Sequence, residues 1–338
     1  MQNTETFRLI GEKRLVSDFL CLTDLYCIID SDFYRGDEFL FRWPSRITRM
    51  FFYGNDIFLC DEFQKAQGVF KIELEDYRTD LHDFKDVVFI RSSNTELWCR
   101  NLIANLFEFH RDKQLVHSFH KNNSNFLYCN EDYYQLTAFT FILKSNFESE
   151  VLWEYDILET CNDKTHFLLG VAHNHLFVLT KGNRIIVLNV DDGSLIKTFE
   201  WTEPVDGTTY LPGLKEAFLN PEDECIYCLG NYFIKIDTQR LEVLTCRHVS
   251  TSFDEMAGIT VKNSTLQGRY ISFTGWREGY AGRGRMIGLF DIQSEEFVWI
   301  DDLSQFIPAF QTPQLAGNRL YILDIENTLH IFERDSLT

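Results

Sequence analysis

The residues able to do chemistry in this sequence are few, and their spacing decides how far each could go. Cys225 and Cys228 share the C-x-x-C spacing of many metal-binding thiolates. They lie in an apolar, strand-like run, residues 225–230 (CIYCLG), where positions three apart face opposite ways. The spacing therefore predicts two packed thiols that cannot share an ion. His173 and His175 flank Asn174, which places two imidazoles on one face of an extended segment. They are the candidate metal ligands, but no third donor stands beside them, and the expectation is a chain without metal or cofactor. Nucleophilic catalysis has no frame here: the G-x-S-x-G elbow is absent, and Ser, His and Asp are dispersed. No Walker sequence occurs, and the glycines of residues 275–285 (GWREGYAGRGR) precede no helical pattern that could hold a phosphate. The acidic clusters Glu222-Asp223-Glu224 and Asp301-Asp302 sit in turn contexts and read as solvated loop charges.

Binding by loops is better supported. Residues 275–285 join two strand-like runs across a connection longer than the four-residue turns elsewhere. Trp276, Arg277, Tyr280 and Arg283 within it belong to the types enriched at interface hot spots. Two further connections carry acids, residues 201–213 with Glu203 and Asp206, and residues 250–258 with Asp254 and Glu255. These eight residues are the candidate partner-binding set.

The elements that must position those loops are strands. Residues 175–179 (HLFVL), a KGNR turn, residues 185–190 (IIVLNV), a DDGS turn and residues 195–201 (LIKTFEW) form consecutive hairpins. IIVLNV is apolar on nearly both faces, so such a strand must be covered on both sides. The unit recurs at residues 106–119, 234–244, 288–299 and 318–332. The first apolar position after each turn marks Tyr77, Leu115, Val151, Leu195, Leu241, Phe297 and Leu337, spaced 36–56 residues apart. Four-stranded blades repeat on this scale, which predicts an all-β, seven-bladed β-propeller, with six blades as the alternative count. The last repeat stops after its third strand, so an N-terminal strand, from residues 7–10 or 14–22, should complete it and close the ring. No linker composition divides the chain. The expectation is a single domain, residues 1–338, with 1–45 as the closing segment and 46–338 as repeats.

The repeats resemble those of WD-repeat and PQQ-like β-propellers, through residues 189–193 (NVDDG) and 291–295 (DIQSE). The Gly-His and Trp-Asp dipeptides of WD repeats and the Trp-docking motifs of quinone-binding propellers are missing, so no family residue carries over. Charge narrows the function. With 32 Lys plus Arg against 51 Asp plus Glu, the formal charge of −19 argues against nucleic acid and anionic membranes as partners. It favours steering towards a basic protein. In size, charge and divergent repeats the chain is similar in type to the propeller immunity proteins of bacterial contact-dependent growth inhibition systems. That resemblance implies a non-enzymatic, acidic inhibitor of a basic, nuclease-type toxin, as monomer or as heterodimer with the toxin. An enzyme (lyase or hydrolase) with His166, His173, His175 and His248 in a central channel is the alternative, as is a general interaction scaffold. Nine scattered cysteines and an N-terminus unlike a signal peptide lead to the cytoplasm as the expected location.

Overall fold

The computed structural model describes residues 7–22, 24–74, 76–78, 87–92, 96–104, 106–119, 126–129, 132–137, 139–146, 150–205, 211–214, 217–249, 259–277, 286–302 and 312–334. They form eight four-stranded antiparallel sheets. In seven of them the strands lie side by side in chain order: sheet I (residues 16–42), II (49–78), III (87–119), IV (126–156), V (165–199), VI (217–248) and VII (259–302). Sheet VIII takes Gln314–Ala316, Arg319–Leu323 and Leu329–Arg334, and its fourth strand is Phe7–Lys13 from the other end of the chain. Two compact units result, one holding sheets VIII, I, II and III, the other sheets IV to VII. Within the first unit the opening strands of neighbouring sheets adjoin in the order VIII, I, II, III, and within the second unit those of IV, V and VI adjoin likewise.

Burial on both faces explains the strand sequences. Along Ile185–Asn189 the side chains alternate between two cores: Ile185 and Val187 pack between sheets V and VI, Ile186 and Leu188 between IV and V. The second strand of sheet II, Asp56–Cys60, is buried throughout for the same reason. Fourth strands cover one face only, and pairs such as Leu195 with Ile196 and Val243 with Leu244 stay exposed on them. The turns carry the strain. Asp30 and Ser31 adopt positive φ between the second and third strands of sheet I. Gly193 does so at +72° between the third and fourth strands of sheet V, where a Cβ would lie 2.6 Å from the Trp153 ring.

Each sheet has the form of a propeller blade. There are eight, and this corrects the expected seven and the alternative of six. The additional blade is sheet I, formed by Val16–Cys21, Leu25–Ile29, Asp32–Arg35 and Glu38–Arg42 within the stretch read as a closing segment. Phe7–Lys13 alone completes sheet VIII, which releases residues 14–45 to build a blade of their own. The marker positions at Tyr77, Leu115, Val151, Leu195 and Phe297 lie on fourth strands, and Leu241 directly precedes one. Leu337 lies outside the described residues, and two fourth strands carry no marker: Phe7–Lys13 in sheet VIII and Glu38–Arg42, which follows the Gly36 turn.

Candidate functional site

In an antiparallel sheet whose strands follow chain order, the turn after the first strand and the turn after the third leave from the same end. In sheets V, VI and VII those turns are rich in carboxylates, and contacts between sheets hold them together. Sheet V contributes His173 and Asn174 after its first strand and Asp191, Asp192 and Ser194 after its third. Sheet VI contributes Glu222, Asp223 and Glu224, then Asp237 and Arg240. Sheet VII contributes Arg269, then Asp291 and Glu295. His173 Nε2 lies 2.9 Å from Glu224 Oε2, and His175 Nδ1 lies 3.3 Å from the Thr238 carbonyl, joining sheet V to sheet VI. Thr245 donates to Glu295 at 3.1 Å, joining sheet VI to sheet VII.

Several of these carboxylates are held by donors of their own turns. Asp192 accepts the Ser194 hydroxyl at 2.6 Å and the Ser194 amide at 2.9 Å, and these bonds hold its carboxyl below the usual carboxylate range. The Arg240 and Gln239 amides do the same for Asp237, at 2.8 and 2.9 Å. Asp223 accepts the Tyr227 hydroxyl at 2.6 Å. Burial, and then this bond, raises the Tyr227 phenol well above its ordinary value. Asp191 accepts the Asn174 amide at 2.8 Å. Cations at this end are largely engaged: Arg269 with Asp291 at 2.8 Å, and the Lys197 ammonium with the Leu241 carbonyl at 2.6 Å. Among the described residues no Lys or Arg pairs with Asp191, Asp192, Glu222 or Asp223, all of which are exposed. The result is a solvent-facing acidic surface on which Asp191, Asp192, Asp223 and Asp237 are oriented by hydrogen-bond donors.

The loop residues expected from sequence fall elsewhere. Trp276 and Arg277 end the second strand of sheet VII, Tyr270–Arg277, pairing with Thr260 and Ile259. Glu203 is exposed in the connection from sheet V to sheet VI. Both places lie at the other end of these sheets, opposite the acidic turns. Asp206, Tyr280, Arg283, Asp254 and Glu255 lie outside the described residues. The connection around residues 201–214 is tied back to its sheets: the Val205 carbonyl accepts Tyr232, and the Pro212 carbonyl accepts Asn183, at 2.8 and 2.9 Å. His173 and His175 engage different groups of sheet VI, and among the described residues no third ligand joins them. Cys225 and Cys228 pack into separate cores, as residues three apart on a strand must. Sequence reading recognised residues 222–224 as turn charges. It missed that they share an end with residues 191–192, because that depends on counting strands from each turn.

No protein-family model and no curated protein matches the sequence. Solved structures do match its shape. The C-terminal WD40 domain of Sif2 superposes with a TM-score of 0.59 at 7% identity, covering 99% of this chain and 98% of that one. Sqt1 of Saccharomyces cerevisiae gives 0.55 at 9% identity, covering 99% of this chain and all of the other. The computationally designed protein Ika8 gives 0.55 at 11% identity, covering 96% and 98%. At such identities the likeness establishes the fold, a β-propeller, and nothing finer.

Proposed function

We propose that this chain is a protein-binding β-propeller that docks a basic protein on the acidic turns of sheets V, VI and VII. The observation that carries the reading is the set of exposed carboxylates at one end of these sheets, of which Asp191, Asp192 and Asp223 are oriented by neighbouring donors. Preset carboxylates lose little freedom when a cationic partner arrives, and their field speeds its approach. A protein that cuts nucleic acid must present cations to phosphate, so an acidic face of this kind suits the silencing of a nuclease-type toxin domain. In this reading the propeller is an immunity-type inhibitor and not an enzyme. It works in the cytoplasm, where its thiols stay reduced.

The test is paired affinity capture with the wild type and the variant Asp191→Asn/Asp192→Asn/Glu222→Lys, with circular dichroism confirming that both are folded. The reading expects a basic protein that the wild type retains and the variant loses, with an association rate that falls as salt rises. An acidic partner, or one that the variant holds equally well, overturns it.

A further inference from the structure

The second and third strands of sheet III, Glu96–Asn101 and Leu106–Arg111, place Cys99 directly opposite Glu108 and Leu97 opposite His110. Alternation along each strand puts Cys99, Glu108 and His110 on one face. That face packs towards sheet II, since Leu97 and Cys99 belong to the same core as Phe58, Val69 and Phe89. All three polar residues are more than nine-tenths buried, at 1%, 7% and 6% exposure. Their sulfur, oxygen and nitrogen donors lie within 4.8 Å of one another. Glu108 Oε2 is 3.0 Å from His110 Nε2 and 4.0 Å from the Cys99 sulfur.

We propose that Cys99, Glu108 and His110 bind one zinc-class divalent cation, which staples these two strands beneath sheet II. Three further considerations support the assignment. Tetrahedral coordination at metal–ligand distances of about 2.0–2.3 Å separates donors by roughly 3.3–3.6 Å, between the two distances observed. Small side-chain rotations suffice to reach it. The second oxygen, Glu108 Oε1, accepts the Asn101 side-chain amide at 3.0 Å. Asn101 is itself fixed, because its own oxygen accepts the Ile103 and Ala104 amides at 3.1 and 3.0 Å. The carboxylate is thus turned so that Oε2 faces the thiol and the imidazole, as outer partners of metal ligands do. Charge agrees as well. A dication with one thiolate, one carboxylate and a neutral imidazole sums to zero, so the loaded site carries no net charge into the interior. Binding releases the Cys99 proton. Three protein donors leave a fourth position for water or a further donor. A borderline cation suits this mixture of sulfur, nitrogen and oxygen better than calcium or magnesium, which prefer oxygen alone.

The experiment is cobalt(II) titration of the full-length protein after chelation and desalting, read by absorption. The expected result is saturation at one equivalent, with a thiolate-to-cobalt charge-transfer band and intense tetrahedral d–d bands. Cys99→Ser should abolish the charge-transfer band, while the control Cys225→Ser/Cys228→Ser keeps it. Asn101→Ala should weaken affinity by about 10–100-fold. Should Cys99→Ser fail to fold, the cobalt spectrum of the wild type and the Asn101→Ala affinity decide the matter. A wild type without thiolate–cobalt absorption, or a band that survives Cys99→Ser in folded protein, overturns the proposal and leaves Glu108 and His110 as an internal hydrogen-bonded pair.

Discussion

Asp18 offers the sharpest quantitative test of how the sheets are joined. It sits at the register shift in the first strand of sheet I, between Val16 and Asp18. One carboxylate oxygen accepts the Met50 amide at 2.8 Å, at the start of sheet II, and the other accepts the Phe19 amide at 3.0 Å. Burial pushes its carboxyl up from 3.8 to about 6, against the pull of the Met50 amide and the charge of Arg49. The folded state therefore holds a proton that the unfolded chain releases between about pH 4 and pH 6. Stability from this group is full below pH 4 and is lost as pH rises through 6. The whole interval corresponds to ~3 kcal/mol at ~1.36 kcal/mol per tenfold change in proton affinity. Asp18 keeps some solvent contact, which screens its charge, so ~1–2 kcal/mol is the expected share. Asp18→Asn cannot ionise. It also loses one acceptor, at ~1 kcal/mol, but that loss does not depend on pH and cancels when slopes are compared. Urea denaturation of both proteins from pH 4 to pH 7, followed by Trp fluorescence, measures the difference. Wild type should lose ~1–2 kcal/mol relative to Asp18→Asn over that range. Parallel stability curves would refute the buried-carboxylate account.

Three other outcomes are expected. Gly193→Ala should destabilise the chain by ~2–4 kcal/mol, from a side chain forced to positive φ and from overpacking against Trp153, measurable in the thermal transition. Removing residues 1–13 takes away the fourth strand of sheet VIII and leaves Leu329–Arg334 as an open edge; light scattering should show concentration-dependent association absent from the full chain. The share of partner binding carried by Asp192 and Asp237 should persist as the pH falls to the ordinary aspartate value of 3.8 and fail only below it. Asp192 and Asp237 are held below that value by the Ser194 hydroxyl and the Arg240 amide, and so stay ionised as the pH falls. Titration calorimetry across that range checks it.

The blade was legible because burial on both faces leaves a mark that one sequence can carry. IIVLNV is apolar apart from Asn189 since its odd and even positions feed different cores. The same period-two logic separates Cys225 from Cys228 in the sequence itself. The blade count was lost at residues 16–42, where LYCIID-SD-FYRGDEFLF has the same hairpin pattern but falls in a stretch already assigned to closure. A short closing strand and a whole blade compete for such a stretch, and only pairing decides between them: Phe7–Lys13 matches Leu329–Arg334 residue for residue apart from one bulge. The Cys99 cluster was hidden for a related reason. Glu108 and His110 alternate visibly on one strand, but their link to Cys99 depends on hairpin register. Had Asn101 been taken as the residue opposite Leu106, Cys99 would have fallen opposite Glu108 at once. A shift of one residue would have turned the thiol to the other face. Register thus governs the chemistry of this fold. Its strands can be read from composition, but any site built across two of them becomes visible only when the turn between them is counted correctly.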